Sequence, residues 1–180
     1  YRNVINKAIE LNDEGISTPL AIETSGHAAF RENYFLDDGA YVVAKILMLL
    51  PALNQKGQKI GDLIKDLKQP AEAQEVRFTI LDEQYQKYGH QVIDDLEEFV
   101  AQTAGFDLEP DNTEGIRVNV SKAFGSGWFL LRMSLHEPLL VLQVENDHEG
   151  SNQKVFEKLA EFFKRYNQLD LEKLEKVLAE

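Results

Sequence analysis

Gly125-Ser126-Gly127-Trp128-Phe129-Leu130-Leu131-Arg132-Met133-Ser134-Leu135-His136-Glu137-Pro138-Leu139-Leu140-Val141-Leu142-Gln143-Val144 is the stretch whose reading decides the fold. The spacing predicts a hairpin turn at 125–127, a strand over 128–134, a break at Glu137-Pro138 and another strand over 139–144. Working outward, Ile116, Val118 and Val120 alternate as an earlier strand, and Val76, Phe78 and Ile80 as the first of the series, each with one buried face. Between these two a helix carries Val92, Ile93, Leu96, Phe99 and Val100 inward. A closing helix presents Val155, Phe156, Leu159, Phe162, Phe163 and Tyr166, and a last amphipathic turn uses Leu171, Leu174 and Leu178. The order is β-α-β-β-β-α.

Lys68-Gln69-Pro70-Ala71-Glu72 reads as a linker, and a different pattern precedes it. A helix over roughly 2–11 leads through Asn12-Asp13-Glu14-Gly15 to Pro19-Leu20-Ala21-Ile22, which reads as a buried strand. Asp37 or Asp38 can N-cap a helix through Val42, Val43, Ile46, Leu49 and Leu50 that Pro51 stops, and a third helix covers 60–67. The expected fold class is an α/β segment, residues 1–69, followed by an α+β domain with an antiparallel sheet, residues 70–180. The helical spacing of Val4, Ile5, Ala8 and Ile9 at the very start, with no initiating Met, reads as an excised piece of a longer chain.

The 180 residues carry 31 acidic and 19 basic side chains, for a formal net charge of −12. Such a surface repels phosphate backbones and anionic membranes, so neither nucleic acid nor a membrane is an expected partner, and an anionic ligand must be caught locally. The longest apolar run, 46–53, is far short of the ~20 residues of a membrane span. The absence of cysteine excludes a disulfide framework, a thiolate metal site and a cysteine nucleophile, and suits a reducing compartment, with cytoplasm the expectation. His90 and His148 lack ligand-spaced partners and no Asp-rich metal loop exists, so no metal is expected on this chain. Asp94-Asp95 and Glu97-Glu98 read as a solvated helix face.

Two constellations carry chemistry. Glu23-Thr24-Ser25-Gly26-His27 gathers a carboxylate, two hydroxyls and an imidazole around a glycine at the end of a strand, where open α/β sheets keep their sites. Vicinal sugar hydroxyls, each donor and acceptor, suit a carboxylate beside a serine. The alternative is a polar loop whose side chains cap neighbouring elements. In the strand after Gly127, Phe129, Leu131, Met133 and Leu135 face one way while Arg132, Ser134 and His136 face the other. Those three form a row of donors fit for a phosphate, or else ordinary polar residues on an exposed sheet face.

Together these segments resemble the C-terminal part of the α-D-phosphohexomutase superfamily, the phosphoglucomutases and phosphomannomutases. Ile22-Glu23-Thr24-Ser25-Gly26-His27 is similar to the family's sugar-recognition loop, Gly-Glu-x-Ser-Gly-His, and Asn33 to Ala40 resembles the segment opening the next helix. Gly127 to Pro138 is similar to the fourth-domain strand and phosphate loop, commonly Arg-Pro-Ser-Gly-Thr-Glu-Pro, with Met133, Leu135 and His136 in place of Pro, Gly and Thr and no Lys or Arg after Pro138. The resemblance implies that residues 1–69 are the end of the third domain and 70–180 the fourth, of TATA-binding-protein-like topology. It implies that Glu23 and Ser25 orient the sugar with His27 nearby, and that Arg132 and Ser134, with His136, clamp the phosphate of a hexose phosphate. The phosphoserine, and the Mg²⁺ held by aspartates, belong to N-terminal domains absent from this sequence, so the chain alone is expected to be inactive. The alternative function is a non-enzymatic phosphosugar-binding or protein-interaction module.

Overall fold

The computed structural model describes residues 1–23, 25–110, 112, 114–134 and 137–179. It divides into two compact units, Tyr1–Leu67 and Lys68–Glu180.

In the first unit, helix α1 (Arg2–Asp13) precedes two short strands, β1 (Leu20–Ile22) and β2 (Ala28–Phe30), which pair antiparallel with Ile22 opposite Ala28. The run 19–22 is therefore one arm of a two-stranded ribbon rather than a buried strand: Ala21 is buried, but Ile22 is 56% exposed. The partner β2 is three residues long, too short to show an alternation in the sequence. Ala8, Ala21 and Ala29 form a small core with Ile5 and Phe35 against it. Asn12 ties the helix end to the ribbon, its Nδ2 donating to the carbonyls of Ala8 (2.7 Å) and Thr18 (2.8 Å) while its Oδ1 accepts from Arg31 Nη1 (2.9 Å).

Helix α2 (Gly39–Leu47) begins where Asp38 accepts from the Tyr41 N–H at 3.0 Å. Pro51 does not stop that helix. It sits in the first turn of the next, α3 (Leu50–Gln55), where a residue without an N–H leaves no bond unmade. The expected helix at 60–67 reduces to a 3-10 turn, Ile60–Leu63. Its apolar stripe is spaced for a helix, but Ile64 and Leu67 are each 62% exposed, and a short helix without a packed face is not stable in water.

The second unit is the expected α+β domain. Strand β3 (Glu72–Thr79), helix α4 (Tyr85–Ala101), strands β4 (Phe106–Leu108), β5 (Ile116–Val120), β6 (Gly127–Met133) and β7 (Leu139–Asn146), and helices α5 (Ser151–Phe163) and α6 (Glu172–Ala179) follow in order. The sheet runs β3-β7-β6-β5-β4 with every pair antiparallel. The sequence does not announce β4, and the last amphipathic turn through Leu171, Leu174 and Leu178 is extended into a helix, α6. The expected turn at 125–127 is shifted: a 3-10 turn at Lys122–Phe124 makes the corner, and Gly127 already pairs with Val120.

One sheet face is packed. Val76, Phe78, Phe129, Leu131, Leu142 and Val144 meet Val92 and Leu96 of α4, Phe156, Leu159 and Phe163 of α5, and Leu174 of α6. Each fully buried Phe or Leu of this kind contributes about 1.5–3 kcal/mol. Glu72, at the start of the unit, accepts from the N–H groups of Gly150 (2.9 Å), Ser151 (3.1 Å) and Asn152 (2.9 Å), so its carboxylate caps α5 from a neighbouring strand. The opposite face carries Glu75 and Arg77 of β3, Val141 and Gln143 of β7, Leu130 and Arg132 of β6 and Arg117 of β5, as the registers require.

Candidate functional site

In the first unit the candidate residues lie at the tip of the β1–β2 hairpin, not at the carboxyl end of a strand in an open sheet. The Glu23 N–H donates to the His27 carbonyl and the Gly26 N–H to the Glu23 carbonyl, each at 3.0 Å. Gly26 closes the turn with φ +92°, a conformation that a side chain disfavours. The turn brings Glu23 and Ser25 together: Ser25 Oγ donates to Glu23 Oε2 at 2.9 Å. That leaves the serine oxygen's lone pairs and the remaining carboxylate lone pairs as acceptors for hydroxyl protons.

His27 is turned to a different partner. Its Nδ1 lies 2.6 Å from Asp37 Oδ2, while Asp37 Oδ1 accepts from the Ala28 N–H at 3.2 Å and the Tyr1 ring stacks on the imidazole at 4.6 Å. Tyr34 and Phe35, at φ 54° and 53°, reverse the chain so that Asp37 bridges back to Ala29. Asp37 thus orients His27, leaving the cap of α2 to Asp38. The sequence offered both aspartates as caps, and a ten-residue separation hid the pairing of Asp37 with the imidazole.

In the second unit the candidate residues lie where β6 turns into β7. Arg132 is the last outward-facing residue of β6, opposite Val141, and its Nη1 reaches the Met133 carbonyl at 3.5 Å. Ser134 carries the ladder one step further, its N–H donating to the Leu139 carbonyl at 2.8 Å. The Ser134 hydroxyl accepts from the Glu137 N–H at 3.3 Å, so it holds the turn as well as facing outward. Pro138 ties the far side down, its carbonyl accepting from the Ile80 N–H at 2.8 Å. His136 and Leu135 lie outside the described residues. Gly115, with φ +72°, lies against Arg132: a Cβ there would come within 2.9 Å of the Arg132 Cα.

The Mg²⁺ that the resemblance implies finds no donor set here, because no group of three or more His, Asp or Glu side chains converges among the described residues. Among those residues no helix is long and apolar enough to cross a membrane. A hollow of ≈350 Å³ beside α4 is lined by Asp95, Glu98, Phe99, Gln102, Arg165 and Tyr166, none of them singled out as a site residue by the sequence. Tyr166 donates to Asp95 Oδ2 there at 2.7 Å, so the acidic run 94–98 is not only a solvated face.

No protein-family model matches the chain. It is 32% identical over 139 residues to a phosphoglucomutase of Neisseria meningitidis serogroup A, an alignment that takes in 76% of the chain and 27% of that protein. It is 29% identical over 137 residues to a phosphomannomutase/phosphoglucomutase of Pseudomonas syringae pv. tomato, covering 76% of the chain and 26% of the relative. The chain therefore spans about a quarter of the length of the curated relatives it matches. A crystal structure of a phosphoglucomutase/phosphomannomutase family protein from Burkholderia thailandensis has the same fold over 88% of the chain and 30% of its own length, with a TM-score of 0.61 at 23% identity. By sequence, and in its fold, the chain is related to the phosphoglucomutases and phosphomannomutases of the α-D-phosphohexomutase superfamily.

Proposed function

We propose that the chain is the C-terminal substrate-binding part of a phosphohexomutase that interconverts hexose 1-phosphate and hexose 6-phosphate, with residues 1–69 ending its third domain and 70–180 forming its fourth. The observation that carries the reading is the relationship to phosphoglucomutases over 139 residues, within a chain in which hydrogen bonds tie Ser25 to Glu23 and Glu137 to Ser134. In the proposed reaction a phosphoserine on another domain gives its phosphoryl group to a free hydroxyl of the hexose monophosphate. The resulting bisphosphate turns over, and the other phosphoryl group returns to the serine. Mg²⁺ held by that other part of the protein supplies charge stabilisation for the transfer. The residues of this chain do none of the bond-making.

Glu23 and Ser25 accept hydroxyl protons of the sugar, and their mutual hydrogen bond fixes both acceptors before the ligand arrives. His27, oriented by Asp37, offers its Nε2 beside them. Arg132 binds the phosphate that is not reacting, through two parallel N–H donors, and Ser134 holds the turn that presents it. A compartment without disulfide chemistry, the cytoplasm, suits such an enzyme and a chain free of cysteine.

The test is steady-state conversion of glucose 1-phosphate to glucose 6-phosphate by the full-length protein with Mg²⁺ and a hexose bisphosphate activator. Glu23→Gln or Ser25→Ala should lower kcat/KM by about 1–3 kcal/mol of transition-state binding, roughly five- to 150-fold. Binding of hexose phosphate without conversion would favour the non-enzymatic module. Unchanged kinetics in both folded variants would remove the hairpin tip from the site.

A further inference from the structure

On the open face of the five-stranded sheet, Val141 stands opposite Arg132 on one side and opposite Arg77 on the other. Directly paired residues project to the same side, so two arginines flank one valine with their Cα atoms about 10 Å apart, two strand spacings. Val141 is only 4% exposed although it faces away from the helices.

The two guanidinium groups are differently engaged. Arg77 Nε donates to Glu75 Oε1 at 2.7 Å, and its Nη atoms make no hydrogen bond among the described residues. Glu75 Oε2 accepts from Gln143 Nε2 at 3.0 Å. Arg132 has no carboxylate partner among the described residues, and its one hydrogen bond there, to the Met133 carbonyl, is long at 3.5 Å. Burial pushes the Glu75 carboxyl up, but the bonds from Arg77 and Gln143 and the fields of Arg77 and Arg132 outweigh it and hold the group below the usual range. Arg77 in turn is held up by Glu75 and also feels Glu137. Glu75 thus feels both arginines, and Arg77 both glutamates, at the end of the sheet that bears the β6–β7 turn.

We propose that Arg77 is a second phosphate-binding cation, forming with Arg132 across Val141 a two-guanidinium site for the phosphate monoester of a hexose phosphate. Glu75 is its positioning residue, holding Nε and leaving the Nη edge for the ligand. The inference rests on the reading of Arg132 as a phosphate ligand and deepens it. Arg132 is the one arginine in the phosphate-loop segment, no Lys or Arg stands in the strand that follows Pro138, and the chain carries a net charge of −12. A dianion held there by one cation is weakly bound, and a second guanidinium from β3 supplies the missing charge.

The test is titration of glucose 6-phosphate against the 180-residue chain, followed by the line width of the ligand's ³¹P resonance, with inorganic phosphate as a second probe. Wild type, Arg77→Gln, Arg77→Lys, Arg132→Gln and the double glutamine variant are compared, each checked for an unchanged amide spectrum. Both single glutamine variants should weaken binding by about tenfold or more, Arg77→Lys should recover part of the loss, and the double variant should lose less than the product of the singles. A loss with Arg132→Gln but none with Arg77→Gln overturns the inference and leaves Arg132 as a ligand. No loss in either single variant, or no binding by wild type, overturns both.

Discussion

The side chain of Met133 fills the space left by the missing Cβ of Gly89. A Cβ on that helix residue would overlap the Met133 Sδ, lie 2.9 Å from its Cε and 3.1 Å from Ile80 Cδ1. The last residue of β6 is thereby fixed to α4 one position before the Ser134 turn.

Gly89→Ala sets two effects against each other. An alanine in a helix interior gains about 1 kcal/mol over glycine, while overfilling the space costs about 1–3 kcal/mol. The variant should be destabilised by roughly 1 kcal/mol in urea unfolding. In a Met133→Ala background the space is vacant, and Gly89→Ala should become stabilising. The same sign in both backgrounds would show that the contact does not constrain β6.

Glu72→Ala removes the acceptor of three backbone N–H groups at the start of α5. It should cost about 2 kcal/mol, with Glu72→Gln losing about half as much because one neutral acceptor remains. Equal stability of the alanine variant and wild type in chemical denaturation would mean that water replaces the carboxylate without loss.

Burial first, and then the hydrogen bond to Asp95, push the Tyr166 phenol well above its ordinary 10.0. The folded state therefore keeps this proton after the unfolded state has lost it. The stabilisation is complete below about pH 10 and declines as pH rises beyond that value toward the folded one. Tyr166→Phe has no such proton, so its stability deficit should shrink between about pH 8 and about pH 11. A deficit that is constant or grows over that range contradicts the placement of the hydroxyl on Asp95.

Long amphipathic elements were legible because each buries a full face: the stripes of α4 and α5, the alternation of β3, β5 and β6 and the apolar run of β7 are visible in the residue order alone. The three-residue strands β2 and β4 were not, since their existence depends on a partner strand rather than on their own pattern. The stripe at Ile60, Leu63, Ile64 and Leu67 misled in the other direction, because periodicity without a surface to cover gives no helix. At the candidate site, Glu23 and Ser25 were legible as neighbours in a tight turn. Asp37 and Arg77 were not: the first is brought to His27 by two left-handed residues, and the second reaches the level of Arg132 only through the order of β3, β7 and β6.

The proposed reading, that the hairpin tip of the first unit takes sugar hydroxyls and the β6–β7 turn of the second takes phosphate, is tested most directly by amide chemical-shift mapping. Glucose 6-phosphate, glucose and inorganic phosphate are titrated separately into the ¹⁵N-labelled 180-residue chain. Glucose 6-phosphate should move the amides of Glu23, Ser25 and Gly26 together with those of Arg132, Met133 and Ser134, and inorganic phosphate should move only the second group. Shifts confined to other surfaces, such as the hollow beside Asp95 and Tyr166, or none at all with any of the three ligands, would contradict the account.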